Sequence, residues 1–102
     1  MTNLGLTDEQ LNLITKVFSQ EPRIQKAVVF GSRAKGNFKK YSDVDIALFG
    51  DLTSSDTEHI KLNLDELPMI YEFDVISYNE LKNPQLKDHI DRVGQNIYVS
   101  PK

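Results

Sequence analysis

The stretch Gly31-Ser32-Arg33-Ala34-Lys35-Gly36, followed after a short polar spacer by Ser42-Asp43-Val44-Asp45-Ile46-Ala47-Leu48, stands between two apolar runs and decides how the rest of the 102 residues are read. Just before it, Ala27-Val28-Val29-Phe30 is β-prone and does not alternate, as expected for a strand covered on both faces. Just after it, Asp43 to Phe49 alternate, with Val44, Ile46 and Leu48 on one face and Asp43, Asp45 and Ala47 on the other. A turn able to hold phosphate therefore lies a few residues from two carboxylates able to hold a metal ion. Phosphate beside metal is the chemistry of phosphoryl and nucleotidyl transfer.

Two common phosphate loops are excluded. Gly31 and Gly36 have the outer spacing of a Walker A loop, but Asn37-Phe38 stands where Lys-Ser or Lys-Thr is required. The three-glycine spacing of a dinucleotide fold is also missing. What remains is a strand end and a turn whose backbone N–H groups, with the Ser32 hydroxyl, could converge on an anion. A tight turn that uses glycine only for its backbone freedom is the alternative.

Two residues apart on a strand, Asp43 and Asp45 have Cα atoms about 6.5 Å from each other, close enough for both to reach one or two hard cations. Aspartate is disfavoured in strands, and adjacent like charges cost energy unless a cation neutralises them. A solvated strand edge is the competing explanation. A third carboxylate, Asp74, lies in Tyr71 to Tyr78, where Phe73, Val75 and Ser77 oppose Glu72, Asp74 and Ile76. If the strands of Asp43 and Asp74 pair, three carboxylates converge opposite the glycine turn; otherwise Asp74, like Glu72, marks an exposed face.

The remaining segments supply helices. Thr7-Asp8-Glu9-Gln10 has the form of a capping box, and Leu11, Ile14, Val17 and Phe18 recur at helical spacing, so a helix is expected from Thr7 to about Gln20. Glu21-Pro22 ends it. A second helix is expected over Ser54 to Leu67, with Ile60, Leu64 and Leu67 on one stripe and Pro68 as its stop. A third runs from Pro84 to about Val93, closed by Gly94, and Ile97-Tyr98-Val99 reads as a brief edge strand. His59 and His89 lie on helices with no partner motif and receive no role.

Composition sets limits. With 39% hydrophobic residues the chain can build one core, and a single domain over residues 1–102 is expected. Its 12 Lys+Arg against 15 Asp+Glu, a net charge of -3, argue against extensive nucleic-acid binding. The absence of cysteine removes disulfides, thiolate metal sites and thiol catalysis. Met1-Thr2-Asn3-Leu4 lacks the basic and then apolar pattern of a signal peptide, and no apolar run approaches the roughly 20 residues of a membrane span. A cytoplasmic protein without membrane contact is expected.

Taken together, Gly31-Ser32-Arg33-Ala34-Lys35-Gly36 and Ser42-Asp43-Val44-Asp45-Ile46-Ala47-Leu48 resemble the signature of minimal nucleotidyltransferase (MNT) domains of the DNA polymerase β superfamily, Gly-Ser-x-Ala-x-Gly, a spacer, and Ser-Asp-hydrophobic-Asp-hydrophobic. Asp74 in Phe73-Asp74-Val75-Ile76 stands in the place of that family's third carboxylate. The likeness continues to Ile90-x-x-x-Gly94-x-x-Ile97-Tyr98, similar to the closing helix and strand of such domains.

The resemblance implies an α/β (α+β) palm-like fold, a small mixed sheet with helices packed mainly on one face. It implies that Asp43, Asp45 and Asp74 are catalytic and hold Mg2+, two ions in the family's mechanism. Gly31 and Ser32 would then hold the β- and γ-phosphates of ATP or another NTP, and Arg33 would add a charged contact unless it is a solvated turn residue. Lys35, Lys39 and Lys40 supply positive charge nearby, from the surface or in contact with the ligand. Short MNT proteins are commonly paired with HEPN-domain toxins as antitoxins, in some cases adenylylating the toxin. A nucleotidyltransferase moving a nucleoside monophosphate, here AMP, to a hydroxyl on such a partner is therefore expected, with self-association as a second source of acceptor recognition. A non-catalytic antitoxin that occludes its partner is the alternative, and transfer to a small molecule is disfavoured by the little enclosure a single small domain offers.

Overall fold

The structure, a computed structural model, describes residues 4–39 and 41–101. Lys40, one of the lysines near the glycine segment, lies outside the described residues. Helix α1 (Asp8–Ser19) starts from the anticipated capping box: Thr7 Oγ1 accepts the Gln10 N–H at 3.1 Å and Gln10 Oε1 accepts the Thr7 N–H at 3.0 Å. Ile14 and Phe18 form its buried edge. Strand β1 (Ile24–Phe30) begins earlier than its apolar run suggests, because Ile24 pairs with Gly50 and is itself buried.

The residues Gly31–Lys35 form a short helix, α2, where a turn was expected. Gly36, at φ +86°, ends it in the left-handed region, its N–H donating to the Ser32 and Arg33 carbonyls. Strand β2 (Val44–Gly50) follows, then α3 (Ser54–Asp65), β3 (Phe73–Ser77), a single 3-10 turn (Tyr78–Glu80), α4 (Pro84–Val93) and β4 (Gln95–Val99). Helix α3 stops before Leu67, which packs half-buried beyond the helix end. Helix α4 has the anticipated bounds; Asn83 Oδ1 accepts the Gln85 and Leu86 N–H groups and Pro84 stands in the first turn.

The sheet order is β3-β2-β1-β4. Strand β1 is antiparallel to both its neighbours, while β2 and β3 run parallel and α3 is the crossover that parallel strands require. One face packs Val29, Val44, Ile46, Leu48, Phe73 and Val75 against Ile14 and Phe18 of α1 and Ile60 and Leu64 of α3. Each such fully buried side chain contributes about 1.5–3 kcal/mol. The opposite face carries Val28, Phe30 and Ala47 beneath Ile90 and Leu86 of α4. The two longest helices thus share one face, and α4 takes the other. Burial on both sides explains why β1 reads as an unbroken apolar run. Among the described residues, no helix is long and apolar enough to cross a membrane.

Candidate active site

Strand pairing brings the carboxylates together. In the parallel β2–β3 ladder Asp45 stands directly opposite Asp74, and across the antiparallel β1–β2 ladder it stands opposite Phe30, the last residue before Gly31. Alternation along β2 puts Asp45 on the Ala47 face, the side that α4 covers further along the strand. The conditional pairing of the Asp74 strand is therefore met. Asp43 precedes β2 and is exposed, whereas Asp45 is half-buried and Asp74 is exposed.

Burial, and then the charges of Asp74 and Asp43, raise the Asp45 pKa above the ordinary carboxylate value; the Arg33 charge opposes them. Asp45 thus feels the two other acidic groups at the ends of β2 and β3. Among the described residues, however, no group of three His, Cys, Asp or Glu side chains stands in metal-holding geometry.

The glycine segment abuts this cluster. Gly31 has φ +74°, and a side chain there would run into the Asp45 carboxylate, so the absence of a Cβ is what lets strand end and acid lie together. The Gly31 N–H, anticipated as a phosphate donor, donates instead to Nε2 of His89 at 3.1 Å. His89 also meets the Phe30 ring edge-to-face, with centroids 6.2 Å apart. His89 belongs to no sequence motif; its one signal is its position beside Ile90, on the inward side of α4. Ser32 is half-buried at the start of α2, and the side chain of Gln95 ties that helix to β4 by donating to Ala34 O at 3.0 Å.

Arg33 does not point to a phosphate. It is 1% exposed. Nε and Nη2 donate to Ser42 O at 3.1 and 2.7 Å, Nη1 donates to Leu4 O at 2.8 Å, and the guanidinium lies over the Phe38 and Tyr71 rings, 5.0 and 4.4 Å from their centroids. The expected phosphate contact from Arg33 is corrected on that ground: a buried cation with its donors directed at carbonyls cannot meet a ligand, and its charge acts on Asp45 from within the protein. Lys35 and Lys39 are exposed.

Residues 12–102 match the family model described as polymerase beta, nucleotidyltransferase. A relative from Methanocaldococcus jannaschii, named a protein adenylyltransferase, is 39% identical over 69 residues, which are 66% of this chain and 72% of that one. Among solved structures, a chain of a toxin–antitoxin complex with AMP-PNP superposes with a TM-score of 0.74 at 20% identity, covering 89% of this chain and 74% of that one. A chain from the complex of the tri-AMPylated Shewanella oneidensis HEPN toxin with its MNT antitoxin superposes with a TM-score of 0.70 at 17% identity, covering 93% and 74%. These two likenesses establish the mixed-sheet fold.

Proposed function

The chain belongs to the polymerase β nucleotidyltransferase family, and from that premise we propose that it transfers AMP from ATP to a hydroxyl group of a protein partner. The observation that carries the proposal is the register pair Asp45–Asp74 beside the side-chain-free Gly31. The acceptor oxygen bonds to the α-phosphorus, the bond from that phosphorus to the bridging oxygen of pyrophosphate breaks, and the hydroxyl proton leaves on the Asp74 side. Ser32 holds the β- and γ-phosphates in line, Gly31 gives the close backbone approach, and Lys35 and Lys39 add positive charge at the rim.

Burial and the charges of Asp74 and Asp43 raise the cost of charging Asp45, and these three carboxylates are hard oxygen donors of the kind Mg2+ takes. When bound through Asp43, Asp45 and Asp74, Mg2+ supplies charge neutralisation for the triphosphate and lowers the pKa of the attacking hydroxyl.

The partner we propose is a HEPN toxin, with the chain as its MNT antitoxin acting as one nucleotidyltransferase domain. Support comes from the MNT and HEPN complex that the fold resembles and from the adenylyltransferase name of the relative. The test is to mix the purified chain with a purified HEPN-domain toxin, Mg2+ and ATP, and weigh the products. Mass increments of about 329 Da per AMP on the toxin, absent with Asp45→Asn, are expected. Full neutralisation by Asp45→Asn without any adduct would overturn transfer in favour of occlusion.

A further inference from the structure

His89 joins the two halves of the site that no local motif connects. It lies on α4, 58 residues after Gly31, and its Nε2 accepts the Gly31 N–H at 3.1 Å. Accepting at Nε2 requires the neutral ring with its proton on Nδ1. A further contact holds the ring in place: the Phe30 ring, met edge-to-face with centroids 6.2 Å apart. Phe30 in turn is the register partner of Asp45. Gly31, at positive φ, has no side chain with which to fix itself, and α2 is too short to hold its own first residue. The peptide between Phe30 and Gly31 therefore takes its orientation from His89.

We propose that His89 is a positioning residue for nucleotide binding: by holding the Gly31 amide it sets the pitch of α2 and aims Ser32 at the triphosphate, across from Asp45. The inference rests on the proposed nucleotide site. His89 touches no reacting atom. Its contribution is the preorganisation of a backbone segment that would otherwise sample several orientations.

The probes are AMP-PNP with Mg2+, titrated by calorimetry into the full chain, and the Gly31 amide signal in a 15N–1H correlation spectrum. His89→Leu removes the acceptor, and His89→Gln returns one through Oε1. Losing one such hydrogen bond weakens AMP-PNP binding by about 3–10-fold in His89→Leu, with His89→Gln within about twofold of wild type. The Gly31 amide is expected to shift and exchange faster in His89→Leu and to return towards its wild-type position in His89→Gln. Unchanged affinity in His89→Leu would overturn the inference, and so would tighter binding, which would mean that the imidazole competes with phosphate for the amide. Equal weakening in both variants together with a lowered melting temperature would reduce His89 to a packing residue and overturn it also. If wild type itself binds no AMP-PNP, the nucleotide site fails, while the Gly31 signal still decides separately whether His89 orients that amide.

Discussion

The Asp45 carboxylate occupies the space that a side chain on Gly31 would need. Strand β1 therefore delivers its last peptide to the carboxylate cluster only because residue 31 is glycine. Gly31→Ala is expected to destabilise the protein twice over. The left-handed backbone at φ +74° costs an alanine about 1–2 kcal/mol, and the added methyl must displace Asp45 or the start of α2. In a domain of this size each kcal/mol lowers Tm by about 4–8 °C, which thermal unfolding followed by circular dichroism measures. Nucleotidyl transfer by the fraction that still folds is expected to drop with it, since the acid and the backbone no longer fit side by side.

Asp45→Asn separates stability from activity. Burial and two acidic neighbours raise the Asp45 pKa in the folded protein, so the folded state binds its proton more tightly than the unfolded chain does. Stability from this group is complete below the unfolded carboxylate value near 3.8 and is lost as pH rises through the higher folded value. At neutral pH, without divalent cations, Asp45 is a net cost, and Asp45→Asn is expected to raise Tm by a few degrees while abolishing transfer. The gain shrinks to nothing as pH falls below the unfolded value. Melting curves in EDTA between pH 3 and 8 check the sign.

Arg33 is expected to behave as a core residue. Its guanidinium links Ser42 O, one residue before Asp43, to Leu4 O and lies over the Phe38 and Tyr71 rings. Charge-assisted hydrogen bonds are worth about 1.5–3 kcal/mol each, so Arg33→Met should lose about 3 kcal/mol or more in urea unfolding. Arg33→Lys should recover little, because one ammonium cannot span both carbonyls in a planar fork. A phosphate-contacting arginine would give the reverse pattern, with weak ATP binding and unchanged unfolding.

What sequence revealed and what it hid follow from the range of the interactions. The alternation around Asp45 and Asp74 and the Thr7 and Pro84 helix starts are local patterns, and the structure reproduces them, except that Asp43 falls just before β2 rather than on it. Pairing of β2 with β3 could be stated only as a condition, since nothing in either strand names its neighbour; the crossover through α3 decides it. Residues 31–35 show no apolar periodicity, so their helix was invisible, although Gly36 was there to end it. Arg33 reads as a phosphate contact or a solvated turn residue, not as a core residue, because the groups that let it be buried lie as far away as Leu4 and Tyr71. His89 was silent for the same reason, its partner being 58 residues distant.

Divalent metal should stabilise the chain through the same acids that destabilise it alone. A ligand that binds only the folded state adds about 2.7 kcal/mol at a hundred times its Kd, about 10–20 °C in a domain of this size. Adding Mg2+ without nucleotide is therefore expected to raise the wild-type Tm with concentration and EDTA to reverse the rise. Asp45→Asn should start from the higher Tm and gain almost nothing, because the half-buried donor between Asp43 and Asp74 is lost. Asp43→Asn, which removes an exposed carboxylate outside the ladder, should shift the Mg2+ response to higher concentration while keeping its full extent. Scanning calorimetry across a Mg2+ series resolves all three curves, and an identical Mg2+ response in wild type and Asp45→Asn would remove the carboxylate cluster as the metal site.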